Sequence, residues 1–328
     1  MDYQEVKIKT RVVGVDISSN RTTIAIVNIR GKIIAESNFD TSEYPEVNNY
    51  VARLTEEIVT LVEANDGYET IRSVGISAPS ASFTSGCIIN SPNLPWKGVI
   101  PLAAMLRDQL GLAVALGNDA HVAALGEHAF GSAHGMRDFI IITLGGGVGS
   151  CFFSEGHEHQ GFEGLAGEIG HTCLIDNGRL CGCGKKGCLE AYTNAKGIVT
   201  TAQELMAESD EPSLMRSLEK LSPLTIKECC DQGDKMAIEV YRRTGYFLGI
   251  GLANYASVIN PQAIILTGGI SHAGKWLMEP LYESFEDHVF QNMRGGIKLL
   301  VSRLNNHERD VLGASVLAWQ VKEYSLFK

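Results

Sequence analysis

Cys181, Cys183 and Cys188 stand in the run Cys-Gly-Cys-Gly-Lys-Lys-Gly-Cys, with His171 ten residues upstream. Three thiolates and an imidazole make a closed tetrahedral zinc site, and the glycines between them let a loop wrap that tightly. Closed coordination leaves no position for water, so the expected metal shapes a loop and performs no chemistry. Just before it, Gly164-Leu-Ala-Gly-Glu-Ile-Gly-His171 carries three glycines that bring the backbone close to something. Glu168 and His171 offer an acceptor and a donor there, and Glu190 follows the last cysteine. Such groups, fixed beside a metal, suit sugar hydroxyls, which need paired donors and acceptors.

Three more places could do chemistry. Gly145-Gly-Gly-Val-Gly149 follows an apolar run, where backbone N–H groups can meet phosphate oxygens; the plain alternative is a hairpin turn. A dinucleotide fingerprint would need a helix next, but Ser150-Cys-Phe-Phe153 reads as a strand, and no Gly-Lys-Ser/Thr is present. Asn118-Asp119 marks a strand-to-helix junction, where Asp119 could cap the helix, act as a general base, or both. Asp16 ends an apolar strand; a Mg²⁺ contact or a turn hydrogen bond would offset the cost of burying it.

The elements that must hold these residues follow from periodicity. Residues 11–17, 22–27 and 32–35 read as a meander of strands. Val47, Val51, Leu54, Ile58 and Leu61 recur at helical spacing, and the helix stops near Gly67. Residues 73–78 form a strand, Pro101 and Gly111 bracket a helix, and 113–116 are the next strand. Residues 138–153 then repeat the strand–turn–strand plan of 11–27, which predicts a duplicated α/β architecture with a cleft between the halves. Helices fill most of 190–260, and 263–267 is a strand running into Gly268-Gly269. The stretch 244–274 lacks charged residues, but Asn254, Asn260, Pro261 and Gln262 interrupt it, so it reads as helix, turn and strand, with no membrane span. Cys229 and Cys230 are expected to fill core, and His157 and His159 to sit exposed in a loop.

Composition bounds the function. A chain of 328 residues is about two domains long, and 45% hydrophobic with 20% charged residues describes an ordinary globular protein. The net charge of −10, with no block of Lys or Arg, argues against a nucleic-acid platform. Glycine numbers 35, where average usage would give roughly 23. Met1-Asp2-Tyr3-Gln4-Glu5 has no apolar core, so no secretory signal is expected, and the eight cysteines read as reduced thiols or metal ligands in the cytoplasm.

Taken together, these segments resemble the ROK family (repressor, open reading frame, kinase), whose enzymes are ATP-dependent sugar kinases. Ser91-Pro-Asn-Leu-Pro-Trp96 is similar to its sugar-site segment, Gly117-Asn-Asp-Ala120 to its catalytic loop, and Thr143-Leu-Gly-Gly-Gly-Val-Gly149 to its second phosphate loop. Gly167-Glu-Ile-Gly-His171 with Cys181 through Glu190 resembles its zinc and sugar signature, and Leu266-Thr-Gly-Gly-Ile270 its adenosine segment. The resemblance implies the α/β, two-lobed actin-like ATPase (ribonuclease H-like) fold. A small lobe would span 1–121, with a helix at 310–328 packing back on it, and a large lobe 122–309. Asp119 would take the proton from the sugar's 6-hydroxyl as it attacks the γ-phosphate of ATP, while Asn93, Asn118, Glu168, His171 and Glu190 hold the ring. Gly145, Gly146, Gly147 and Gly149 would cradle phosphate, Gly268 and Gly269 admit adenosine, and Asp16 sit near Mg²⁺. His171, Cys181, Cys183 and Cys188 would hold Zn²⁺, and the chain would form a homodimer.

Glucose is the expected substrate, with fructose or an N-acetylhexosamine as alternatives. Two departures stand out: Asp16-Ile-Ser-Ser-Asn20 where the family reads Asp-Ile-Gly-Gly-Thr, and His121 in place of an Asn. The first motivates a second reading, a catalytically weak sugar-binding regulator. A third is a repressor of the family without its DNA-binding domain, since a strand starting near Arg11 leaves no room for a helix-turn-helix. An NAD oxidoreductase is a remote fourth.

Overall fold

Alternation along β1 (Arg11–Ile17) sets the layering of the first sheet. Val13, Val15 and Ile17 face one side; Val12, Gly14 and Asp16 face the other. In the computed structural model, which describes residues 9–162 and 165–321, β2 (Arg21–Asn28) and β3 (Ile33–Asp40) continue antiparallel from β1. Helix α1 (Val47–Glu63) lays Tyr50, Val51, Leu54, Ile58 and Val62 on the Val13 side. Strand β4 (Ile71–Ala78) then adds parallel to β1. β5 (Ala81–Ser82), β6 (Cys87–Ile89) and β7 (Val99–Ile100) form a small antiparallel sheet that the sequence pattern did not announce. Helix α2 (Leu102–Leu110) starts after Pro101 and ends at Gly111 (φ 65°), as expected. Strand β8 (Ala113–Asn118) completes the order β3-β2-β1-β4-β8 and runs straight into α3 (Asp119–Phe130).

The plan then repeats. β9 (Phe139–Leu144), β10 (Val148–Ser154) and β11 (His157–Glu158) are an antiparallel meander. Helices α4 (Glu190–Thr193), α5 (Ala195–Glu208), α6 (Pro223–Asp231) and α7 (Lys235–Ile259) follow, then β12 (Ala263–Thr267), α8 (Lys275–His288) and β13 (Lys298–Val301). The order β11-β10-β9-β12-β13, with β12 and β13 parallel to β9, matches the first sheet strand for strand. The duplication expected from two hairpins is thus a duplication of whole ribonuclease H-like sheets. Cys229 and Cys230 are buried in α6, and His157 and His159 are exposed. Among the described residues no helix is long and apolar enough to cross a membrane.

By compactness the chain divides into residues up to His134 with those from Leu304 onward, and Gly135–Arg303. The boundary expected at 121/122 falls inside α3, and of the expected helix 310–328 the last seven residues lie outside those described.

The returning element is α9 (Asn306–Gln320), which covers the Val12 side of the first sheet with Val311, Leu312 and Ala318. It lies on backbone. A Cβ at Gly14 would sit 2.3 Å from the Val311 carbonyl oxygen, and one at Gly75 would sit 2.0 Å from that of Ala314. Against α3 the approach is mutual: a Cβ at Gly126 of α3 would meet the Arg309 carbonyl at 2.8 Å, and one at Gly313 of α9 would meet the Val122 carbonyl at 2.0 Å. Ser73 adds a hydrogen bond from its hydroxyl to the Ala318 carbonyl, 2.7 Å. Glycine here is required by close approach. Replacing Gly75 with Ala must therefore push α9 off β4, and urea unfolding should show a loss of at least about 2 kcal/mol.

Candidate functional site

In the first unit the chemistry gathers where the strands end. Asn118 closes β8 and is the N-cap of α3; its Oδ1 accepts from the Ala120 N–H at 3.0 Å, and Asp119 Oδ1 shares that donor at 2.8 Å. The cap position thus belongs to Asn118, which leaves the Asp119 carboxyl only partly engaged. As a residue Asp119 is solvent-accessible, yet the crowding of protein around its carboxyl raises its pKa above the usual carboxylate range. The Ala120 N–H, Arg309 and His121 pull it back. Asp16 is half-buried, and loss of solvent together with the Asp310 and Asp119 charges pushes it up to about 8. Ser77 and Arg309 oppose that rise, although Ser77 Oγ is buried and completes no hydrogen bond.

Alternation explains this grouping. Asp16 follows Gly14 on the α9 side of β1, and Ser77 follows Gly75 on β4, so both sit beside the N-terminal half of α9, which carries Arg309 and Asp310. Arg309 is buried, and its guanidinium pairs with Asp310 at 2.6 Å. Asn93 is exposed on a loop pinned by the Lys97 ammonium, which donates to the Ser91 and Leu94 carbonyls at 3.0 and 3.2 Å. Trp96 anchors that loop through an Nε1–H bond to the Tyr44 carbonyl, 3.0 Å.

The second unit assembles the thiol loop. Gly167 (φ 95°) and Gly170 lay the chain on β10: a Cβ would come within 2.9 Å of the Ser150 carbonyl or 2.4 Å of the Val148 carbonyl. These are the close approaches the glycine-rich stretch predicts; Gly164 lies outside the described residues. The turn they form carries exposed Glu168 and half-buried His171, whose Nε2 is 4.0 Å from Glu168 Oε2. That is too long for a hydrogen bond between them, but both can hold one hydroxyl. His171 Nδ1 points the other way, 3.6 Å from Cys181 Sγ, and Cys183 Sγ lies 3.7 Å from Cys188 Sγ. All four ligand atoms lie within 4.8 Å of one another.

A tetrahedral zinc with bonds of about 2.3 Å to sulfur and 2.0 Å to nitrogen needs S···S near ~3.8 Å and S···N near ~3.5 Å, so the donor set fits. Electrostatics agree. Burial and neighbouring sulfurs push Cys181 up to about 12 and raise Cys188, while the Lys185 N–H lowers Cys183. Three thiolates together need a dication. Arg179 bolts the loop to α4 and α5: its guanidinium donates to the Ala191 and Gly197 carbonyls at 3.3 and 3.1 Å and stacks on Tyr192 at 4.8 Å.

Glu190 joins this loop to the glycine turn. Its Oε2 accepts from the Val148 N–H at 2.9 Å, and its Oε1 lies 3.4 Å from Cys181 Sγ. Asn194 Nδ2 donates to the Gly146 carbonyl, 3.1 Å, and the Ala195 N–H to that of Gly145, 2.9 Å. A Cβ at Gly145 or Gly146 would meet nothing within 4 Å, and one at Gly147 would meet Glu190 Oε2 at 3.0 Å. Gly149 already belongs to β10, paired with Thr143. Gly268 (φ 90°) is explained by packing, since its Cβ would lie 2.3 Å from the Leu144 carbonyl, whereas Gly269 faces open space.

The structure therefore groups Asn118, Asp119 and Asp16 in one unit and Glu168, His171, Glu190, the cysteines and the glycine turn in the other. Arg309, Asp310, Ser77, Arg179 and Lys97 escaped the sequence reading. Only the alternation of small residues along β1 and β4 hinted at the first three.

Known proteins resemble the chain over nearly its whole length. The chain is 32% identical over 321 residues to a glucokinase of Halalkalibacterium halodurans, covering 95% of this chain and 94% of that one. It is 26% identical over 300 residues to a xylose repressor of Caldicellulosiruptor bescii, covering 90% and 75% respectively. Among solved structures, a ROK family glucokinase from Streptomyces griseus, in complex with glucose and AMPPNP, superposes with a TM-score of 0.79 at 29% identity, covering 95% of this chain and 100% of that one. The ROK family profile matches residues 12–321, so the chain belongs to the ROK family.

Proposed function

We propose that this protein is an ATP-dependent sugar kinase that phosphorylates a hexose, glucose first among them, at its 6-hydroxyl. The observation that carries the reading is Asp119: a carboxyl on a solvent-accessible residue at a helix start, only partly engaged as a cap, with a raised pKa and Arg309 and Asp16 close by. A general base works best with a pKa near the operating pH. Asp119 accepts the hydroxyl proton, the freed oxygen forms a bond to the γ-phosphorus, and the bond to the β-phosphate oxygen breaks to release ADP. Asn93, Asn118, Glu168, His171 and Glu190 orient the ring through its hydroxyls.

Gly145 donates to the Gly147 carbonyl at 3.0 Å and Val148 to Glu190, so phosphate contacts fall chiefly to the Gly146 and Gly147 N–H groups. Open space where their neighbours' side chains would stand supports that assignment. Gly149 flanks this turn within β10, Gly269 borders the adenosine, and Gly268 holds the turn beside it. Asp16, with Asp310, would hold Mg²⁺, which neutralises phosphate charge. His171, Cys181, Cys183 and Cys188 would hold a structural Zn²⁺. The protein would act in the cytoplasm as a homodimer, as its resemblance to the family implies.

One observation favours a second reading, a sugar-binding regulator. The Ser18-Ser19-Asn20 turn closes on itself, with Ser18 Oγ donating to the Arg21 carbonyl at 2.9 Å, and repressors stand among the relatives. A coupled ADP-release assay across glucose, mannose, fructose and N-acetylhexosamines decides between them. Turnover supports the kinase; sugar binding by calorimetry with no turnover on any hexose supports the regulator.

Asp119→Asn should cut kcat by about 10²–10⁴-fold with sugar affinity retained. Because the base must be ionised and its pKa is raised, turnover should fall as pH drops through a value above the ordinary ~4 of a carboxylate, and the variant's residual rate should lack that limb. Elemental analysis should find about one zinc per chain, lost in Cys183→Ser.

A further inference from the structure

A fourth cysteine, Cys173, borders the thiol loop but lies outside its donor set. It pairs with Cys188 in an isolated antiparallel bridge. The hydrogen bonds that make this bridge run from the Leu174 N–H to the Gly187 carbonyl, 2.7 Å, and from the Leu189 N–H to the Thr172 carbonyl, 3.0 Å. They belong to the flanking residues, so Cys173 and Cys188 are a non-hydrogen-bonded pair, the narrower of the two antiparallel pairings, with Cα atoms about 4.5 Å apart. Directly opposed residues project to the same face, and that spacing lies within the range of about 4.4–6.8 Å that a disulfide spans. Cys173 Sγ hangs over the neighbouring residue, 3.5 Å from where a Cβ of Gly187 would stand. Cys188 is buried, whereas Cys173 is exposed. One thiol of the pair therefore meets solvent while the other belongs to the metal-ligand cluster.

We propose that Cys173 is an oxidation site: a peroxide converts it to a disulfide with Cys188, which removes one of the four metal donors and releases the zinc. In the first step the Cys173 sulfur attacks a peroxide oxygen and the O–O bond breaks; the products are Cys173 sulfenic acid and one water. In the second, the Cys188 thiolate attacks the Cys173 sulfur, the S–S bond forms, the S–O bond breaks, and the sulfenic oxygen leaves as hydroxide, which takes a proton from solvent to become a second water. The two sulfurs give up two electrons and the peroxide takes them. Cys181, Cys183 and His171 are too few for a closed zinc site. The segment carrying Glu168, His171 and Glu190 then loses its pin. The inference rests on the zinc assignment made above, not on kinase activity.

The test treats the zinc-loaded full chain with hydrogen peroxide, follows zinc with a chromophoric chelator, and maps disulfides after alkylation and trypsin. Arg179 and Lys186 place cleavage sites that separate Cys173, the Cys181–Cys183 pair and Cys188 onto different peptides. The expected result is a Cys173–Cys188 link, with zinc release at least about tenfold faster than in Cys173→Ser and reversal by dithiothreitol plus zinc. Equal release from both proteins, or links confined to Cys181, Cys183 and Cys188 with Cys173 still alkylated, would overturn the proposal. Protein that binds no zinc as purified would remove the metal assignment, and with it zinc release, while its peptide map would still decide whether Cys173 and Cys188 join.

Discussion

Helix α9 rests on β1, β4 and α3 through main-chain atoms, and the grouping of Arg309 and Asp310 with Asp16 depends on that contact. Gly14, Gly75, Gly126 and Gly313 each leave a gap that a carbonyl of the opposing element fills. Side chains would hold the helix farther out and let it roll. Backbone on backbone fixes it, since main-chain atoms cannot change rotamer. The fixed helix delivers Arg309 and Asp310 to the end of β1, two residues beyond Gly14, where Asp16 stands. Three carboxyls and one buried guanidinium share that corner, so each proton affinity there reflects the whole group.

The second unit uses the same device for another purpose. Gly167 and Gly170 press a loop onto β10, Gly187 (φ 77°) presses the cysteine run onto Ile175, and Gly268 presses the end of β12 onto Leu144. Glu190 then ties the pressed parts together, bonding the Val148 N–H with one oxygen and lying beside Cys181 with the other. A carboxylate placed this way couples the thiol loop to the glycine turn, so disturbing either moves the groups proposed to hold the sugar.

How much of this was legible in the sequence follows from the range of each interaction. Periodicity found the meanders, α1, α2 and the buried helix and strand of 244–274, because those patterns are local. Ligand spacing found the cysteine–histidine cluster, since its loop spans only 18 residues from His171 to Cys188 and needs no distant partner. The small β5–β6–β7 sheet was missed because strands of two or three residues carry no period to read. Arg309 and Asp310 were missed because their partner, Asp16, is nearly the whole chain away; nothing in His307-Glu308-Arg309-Asp310 itself distinguishes a site from a solvated helix start. At Gly268 the close approach of the Leu144 carbonyl already requires glycine, a tertiary contact that the local Gly-Gly pair does not reveal.

Duplication also makes the two hairpins comparable, because β1–β2 and β9–β10 hold equal rank in sheets of equal order. They differ in how they are filled. The first turn is filled: Ser18 spends its N–H and its hydroxyl on the Arg21 carbonyl, and the Asn20 carbonyl accepts from the Thr41 N–H at 3.1 Å. The second is stripped, with open space at Gly145 and Gly146 and its outward carbonyls tied back by Asn194 and Ala195. Tying carbonyls back turns the peptide units so that their N–H groups face outward, the arrangement an anion prefers. Within one fold, then, the open turn is the one braced by Glu190 of the thiol loop. The other is a self-contained turn. In the proposed kinase, phosphate contacts would rest chiefly on the β9–β10 turn, since the β1–β2 turn is closed on itself.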